Sequence, residues 1–351
     1  MTARLLSRGA APRSLQQGLS LVELMIALAL GLIVLGAMVT VFASSSASRQ
    51  EIERASRQIE NGRYAMQLLS DDLRLAGFYG ELNIKPYYGT PPAVMPDPCS
   101  TAIADWVSAF TVSLQGFDMG AGAPSGCGGV SRVPNTDVLV IRRVSSCEAG
   151  AAGCDALLAN YPYIQVAKCG TETPTTPYVM GINGTTAFNL HARDCATAAG
   201  LRQYYVRVYY ISTDNGRGVA VPTLKRMEFN GSNFVDTPLV EGIENINFEY
   251  GVDLDDDGAP DVFTPDVASY APTAAPPLTV PQAWQRVVAV RINLLARNIE
   301  PSVNYTDSKT YTLGLDAGGA AVTVTPNDNY HRHAYTSLVR VVNVAERRDT
   351  P

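Results

Sequence analysis

From Leu19 to Ala43 the chain reads LSLVELMIALALGLIVLGAMVTVFA, a run broken by one charge, Glu23. A bilayer-spanning helix needs about 20 apolar residues, so this run is long enough. It is too long for an ordinary signal-peptide core, and no A-x-A-like cleavage site follows it. Beyond it the pattern changes but the helix signal does not stop, because no proline occurs between Arg13 and Lys85. Ile52, Ala55, Ile59, Gly62, Met66, Leu69, Leu73 and Ala76 recur at spacings of three and four, with polar residues between them. That spacing predicts one apolar stripe on a helix, packed against a globular part. The stripe is short for a coiled coil and includes Gly62. Gly77 is the predicted stop.

After the helix the pattern loosens. Residues 78–201 are rich in Pro, Gly, Ala and Cys, and only Asp137–Val144 reads as a firm strand. The rest of that stretch is expected to be irregular. From residue 202 strand patterns dominate. Gln203–Ile211 leads to the turn Asp214-Asn215-Gly216, and Asn230-Gly231 joins Thr223–Phe229 to Asn233–Val235 as a hairpin. Val288, Val290, Ile292 and Leu294 alternate with Ala289, Arg291 and Asn293, which predicts a half-buried strand. Ser337–Val344 is the last strand expected. The fold class is therefore α+β, a long helix on an antiparallel sheet. The expected organisation is a leader at 1–18, a helix at 19–77 with 19–43 in the membrane, a cysteine-rich insert at 78–201, and a β domain at 202–351.

Charge changes the picture in one respect. The formal net charge is −6, and the first eighteen residues hold Arg4, Arg8 and Arg13 without an acid, so the remainder stands at −9. An acidic body argues against nucleic acid as a partner. The basic leader keeps the N-terminus in the cytoplasm. The six cysteines, Cys99, Cys127, Cys147, Cys154, Cys169 and Cys195, all lie in the insert. An even number in one segment reads as a disulfide set in an oxidising compartment. Local closure favours pairing neighbours, as Cys99–Cys127, Cys147–Cys154 and Cys169–Cys195, among 15 possible connectivities. Zinc is the weaker reading, since no C-x-x-C occurs and His191 is the only histidine nearby.

Glu23 is the anomaly of the apolar run. A carboxylate in the bilayer centre costs about 2.5–3.5 kcal/mol, and near a helix start the dipole offsets part of that. Alone it reads as an interfacial residue of the first turn. Its setting is more specific. Gln17-Gly18-Leu19-Ser20-Leu21-Val22-Glu23-Leu24 resembles the processing site of type IV pilins and type II secretion pseudopilins. The resemblance implies that a membrane prepilin peptidase cuts between Gly18 and Leu19 and that the amine of Leu19 is methylated. It implies that Glu23 is an assembly residue, meeting the amine of a neighbouring subunit. Leu19 departs from the usual Phe. Thr40 stands about where many members have Pro, so no kink is predicted.

The C-terminal half narrows the likeness. Tyr250-Gly251-Val252-Asp253, Trp284-Gln285-Arg286-Val287-Val288-Ala289-Val290-Arg291 and the helix end Asp72-Leu73-Arg74-Leu75-Ala76-Gly77-Phe78 resemble the PilW family of minor pilins. That resemblance implies a pilin-like fold and a non-enzymatic minor pilin in the priming or tip complex of a type IV pilus. Its partners would be other minor pilins, the major pilin, the prepilin peptidase and the inner-membrane assembly platform. The chain would sit in the inner membrane with its C-terminal part periplasmic, then in the extracellular pilus. Two alternatives stay open: a minor pseudopilin of a type II secretion system, and a tip adhesin acting through residues 86–200.

One loop carries further chemistry. Asp253-Leu254-Asp255-Asp256-Asp257-Gly258-Ala259-Pro260-Asp261 fits a calcium loop, with Asp253, Asp255, Asp257 and Asp261 as ligands, the carbonyl of Ala259 as another, and Gly258 at the sharp turn. Thr264 stands where a bidentate Glu belongs, so Ca²⁺ would bind weakly. The competing reading is a solvated acidic turn. His331-Arg332-His333 reads as a surface pair of histidines, and Trp284 as core. No G-x-S-x-G, H-E-x-x-H or Walker loop occurs.

Overall fold

The computed structural model describes residues 18, 20–82, 91–120, 127, 131–172 and 177–345. Two compact units result, one ending at Glu53 and one starting at Arg54. The first consists, where described, of the early part of helix α1 (Leu21–Leu75). Residues 21–45 are all exposed, and the helix is long and apolar enough to cross a membrane. Thr40 bonds Ala37 O within the helix, which continues unbroken past it.

Among the described residues, the second unit holds the rest of α1 and thirteen strands. They are β1 (Leu114–Phe117), β2 (Val138–Val144), β3 (Pro162–Val166), β4 (Tyr178–Ile182), β5 (Leu201–Ser212), β6 (Thr223–Phe229), β7 (Phe234–Glu241), β8 (Ile243–Val252), β9 (Val262–Thr264), β10 (Val287–Arg297), β11 (Tyr311–Leu315), β12 (Ala321–Val324) and β13 (Arg332–Arg340). All pairings are antiparallel. The first seven make one sheet centred on β5, which is long enough to pair with β2, β3 and β6 along different stretches. A second sheet runs β13–β10–β8–β9, and β11 with β12 forms a separate hairpin.

Both sheets turn one face to a shared core. Ala65, Met66, Leu69 and Leu73 of α1 meet Leu139, Ile141, Tyr209 and Ile211 from the first sheet and Ile246, Phe248, Val290 and Ile292 from the second. Trp284 lies in this core, edge-on to Tyr250 at 4.8 Å. The opposite face of the first sheet carries a second cluster with Tyr79, Trp106, Phe110 and Tyr204. The opposite face of the second sheet is covered by the β11–β12 hairpin through Leu295, Leu313 and Val322.

Several expectations are corrected. The insert is not irregular outside one strand: it supplies β1, β3, β4 and helix α2 (Ile103–Ala109), and the boundary drawn at residue 202 falls inside a continuous sheet. These elements are short and bounded by Pro, Gly and Cys, so each alone carries too few alternating positions to signal. Cys99 joins Cys127, Cys147 joins Cys154, and Cys169 joins Cys195. The expected half-buried strand, β10, is buried on both faces, because the hairpin covers its outer side. The last strand begins at Arg332 rather than Ser337, and residues 342–345 form a short helix, α3 (Val342–Ala345).

The predicted helix stripe is buried at Gly62, Met66, Leu69, Leu73 and Ala76 but departs from expectation before them. Ile52 and Ile59 are exposed, while Gln58 and Asp72 are buried. Burying a polar group is costly only when it lacks partners. Gln58 Nε2 donates to Ala296 O at 2.9 Å. Asp72 accepts from Arg143 Nε and Arg207 Nη1, each at 2.7 Å, and from Tyr209 Oη at 2.8 Å. At Gly62 a Cβ would lie 2.2 Å from the ring of Tyr335, so this glycine sets the approach of β13 to the helix. The helix ends where Gly77, at φ 70°, donates to Arg142 O.

Burial pushes the Asp72 carboxyl up, but Arg207, Arg143 and Tyr209 outweigh it and hold it below the usual carboxylate range. Its folded pKa is thus depressed. The stability it confers is complete above the unfolded value of about 3.9 and is lost as pH falls through the folded value. Removing one partner of a buried ion pair costs about 3–5 kcal/mol. Asp72→Ala is therefore expected to lower unfolding free energy by about that amount at pH 7. Asp71→Ala, which breaks an exposed pair with Arg74, should cost under about 1 kcal/mol. Chemical denaturation of both variants checks this, and equal losses would refute the assignment.

Candidate functional site

The N-terminal end of α1 is organised by Ser20 and Glu23. Ser20 caps the helix: its Oγ accepts from Glu23 N–H at 3.2 Å, and its own N–H donates to Glu23 Oε2 at 2.9 Å. This reciprocal pair is a capping box, with Ser at the cap and Glu three residues on. It fixes the Glu23 carboxylate over the helix start, where the dipole favours negative charge. Ser20 is not among the site residues expected from the sequence, although its S-x-x-E spacing is present there. Gly18 is exposed, and a Cβ there would meet nothing within 4 Å. Among the described residues, none makes a steric demand for glycine at this position. Leu19 and the leader arginines lie outside the described residues.

The acidic loop joins β8 to β9. Asp253 is fully buried, with Oδ1 accepting from Asp256 N–H at 2.7 Å and Oδ2 from Gly258 N–H at 3.0 Å. Asp261 Oδ2 accepts from Leu254 N–H at 2.6 Å, and Arg286 donates to Leu254 O at 2.6 Å. Gly258 takes φ 86°, as the sharp turn requires. Asp253, Asp255 and Asp261 each bring an oxygen to within 4.8 Å of the others. Asp257 stands outside this group, and its Oδ1 accepts from Ala259 N–H at 2.7 Å. A hydrogen bond from Asp257 N–H stabilises the Asp255 carboxylate, yet slight burial and the charges of Asp257, Asp261 and Asp253 push its pKa up on balance.

Asp137 is a titrating group that the sequence did not reveal. Burial pushes it up to about 7, against hydrogen bonds from Phe248 and Met119 N–H, both at 2.7 Å. Perturbed acids often mark active sites. Here both oxygens are engaged by backbone amides, and one of those amides lies on β8, so Asp137 ties the first sheet to the second. Of the residues at 331–333, Arg332 is the buried one. Its guanidinium meets Glu244, Asp307 and Asp328. His331 stacks on Tyr305 at 3.6 Å, and His333 is exposed.

An exposed apolar helix, capped by Ser20 and Glu23 two residues after an open glycine and continuing into a one-sided helix on antiparallel sheets, defines a prepilin-type protein. The chain matches the prokaryotic N-terminal methylation motif over residues 13–39 and the type IV pilus-assembly protein W family, PilW, over residues 208–343. These two matches support a minor pilin role in type IV pilus assembly. That family is structural and non-enzymatic. A type IV-like pilin from Thermus thermophilus is similar at 16% identity and a TM-score of 0.27, over 62% of this chain and 82% of that one. No curated protein matches the chain.

Replacing a Ser N-cap by Ala costs about 1 kcal/mol. In detergent micelles, Ser20→Ala should speed amide exchange at Glu23 about fivefold, with Ser20→Thr near the original rate. Unchanged exchange in Ser20→Ala would show that the box does not hold the first turn.

Proposed function

We propose that this minor pilin is processed between Gly18 and Leu19, methylated at Leu19, and built into the priming complex at the tip of a type IV pilus. Before assembly it spans the inner membrane once, with its body in the periplasm. The carrying observation is the pair formed by Gly18 and Glu23. Among the described residues nothing crowds Gly18, which supports placing the demand for a small residue in the peptidase that must reach this backbone. The Glu23 carboxylate sits on the exposed start of an apolar helix, where burial in a filament requires a compensating cation. The new amine of a neighbouring subunit supplies one. The neighbours are other minor pilins and the major pilin, delivered through the inner-membrane assembly platform. The protein works by contact and not by catalysis.

Gly18→Val is expected to leave unprocessed precursor in the membrane, read by N-terminal sequencing. Glu23→Ala should be cleaved but enter filaments about tenfold less than the parent, a loss of about 1.4 kcal/mol in competition between subunits. Normal incorporation of Glu23→Ala in sheared pili would sink the reading. Deleting the gene separates it from the pseudopilin alternative: surface pili should disappear while exoprotein secretion continues. Deleting residues 86–200 with piliation intact but cell binding lost would favour the adhesin reading instead.

A second reading concerns the acidic loop. Three converging carboxylates favour Ca²⁺ at Asp253, Asp255 and Asp261, with the carbonyl of Ala259 as a further ligand. Three carboxylates without a bidentate Glu give weak binding, with Kd on the order of 10⁻⁴–10⁻³ M. At about 10 mM Ca²⁺ this adds about 1–3 kcal/mol. Thermal unfolding of the full chain should then shift up by several degrees over chelator, and not in Asp255→Ala. No shift in the unmutated chain leaves the loop an ordinary acidic turn.

A further inference from the structure

Sheet edges are a liability, because unpaired N–H and C=O groups template the addition of another strand, and proteins blunt them with Pro, charge, bulges or short length. Among the described residues, four of the five edge strands of the two large sheets are blunted. β1, β4 and β9 have four, five and three residues. β7 has eight, but carries Asp236 and Pro238 and slips register against β6. β13 is different. It runs nine residues, Arg332 to Arg340, without Pro, Gly, Lys or acid, and pairs with β10 in unbroken register.

The register tells which groups are free. Val341 N–H donates to Val288 O, and Asn298 N–H donates to His331 O. In an antiparallel ladder hydrogen-bonded and non-bonded pairs alternate. Residues 333, 335, 337 and 339 therefore direct their N–H and C=O groups at β10. Residues 334, 336, 338 and 340 direct theirs away from it. Thr336, Leu338 and Arg340 are exposed, and Leu338 is 58% accessible.

We propose that this edge is an assembly surface that accepts an extended strand of a different pilus subunit, completing the second sheet by strand addition. The strand would place an apolar side chain beside the exposed Leu338. A second copy of this chain paired antiparallel does not fit. Tyr335 bonds Ile59 O and Asn343 bonds Arg74 O, so α1 and β13 run in the same direction. Pairing two β13 edges antiparallel would set the α1 helices of the two copies in opposite directions, whereas subunits of one filament all point the same way. The proposal rests on the pilin reading above.

The test uses the full chain in a strain lacking the gene. Leu338→Pro removes an outward N–H and no ladder bond, and Leu338→Lys adds the charge that natural edges use. Ser337→Pro, which breaks the ladder, is the folding control. Both Leu338 variants are expected to accumulate in the membrane and to restore piliation about tenfold less than the parent. If Leu338→Pro fails to accumulate, Leu338→Lys decides alone. Full piliation with a stable Leu338 variant overturns the proposal. A photo-crosslinking residue at Thr336 reads the occupant independently of piliation. Crosslinks to another pilus subunit support the edge even if the deletion strain keeps its pili, an outcome that would sink the assembly role instead. Crosslinks to a second copy, or none, overturn it.

Discussion

α1 has to be stable in two different solvents. Its first part is apolar on every side, which suits lipid or the interior of a filament and nothing in between. Its second part can be apolar on one side only, and that side must be covered by protein. Both sheets of the body turn a face to this one stripe, so the core exists largely because the helix needs it. The first sheet could not complete that cover from the C-terminal half alone, and β1 and β2 from the cysteine-rich stretch close it. The same stretch then folds over the far side of the sheet, where Cys99 and Cys127 are among the buried residues.

Polar groups specify how the helix sits within this cover. An apolar stripe slides easily, because hydrophobic contact has little direction. The carboxylate of Asp72 does not slide, since it is held by side chains from β2 and β5 at once. Gln58, four turns earlier, is matched to one carbonyl of β10. Between them Gly62 lets Tyr335 lie against the backbone. These three positions fix rotation and register, and the hydrophobic residues supply the bulk of the driving force.

The parts legible in sequence were those whose signal is local. The apolar run, the motif from Gly18 to Glu23, the hairpin at Asn230 and the turn at Gly258 each depend on residues within a few positions of one another. Gln58 and Asp72 were not legible, because a buried polar residue is recognisable only by partners that lie 71 to 238 positions away in the chain. The pattern of β10 was read correctly as a strand and wrongly as half-buried, since its alternation could not show that a later hairpin covers Asn293. Ser20 is the opposite case: its partner Glu23 lies within the same turn, and one S-x-x-E spacing serves both the capping box and a carboxylate offered to a neighbour.

The contacts of α1 with the body also determine how the subunit bears load. They are spread from Arg54, bonded to Pro301 O, to Arg74, whose carbonyl accepts from Asn343. At 1.5 Å per residue this spans about 30 Å of helix. A pull directed along the helix axis loads these contacts side by side, in shear, and they must fail together. A pull across the axis would peel them one after another. A pilus transmits tension along the axes of its subunits' helices, which is the direction in which this arrangement is strongest.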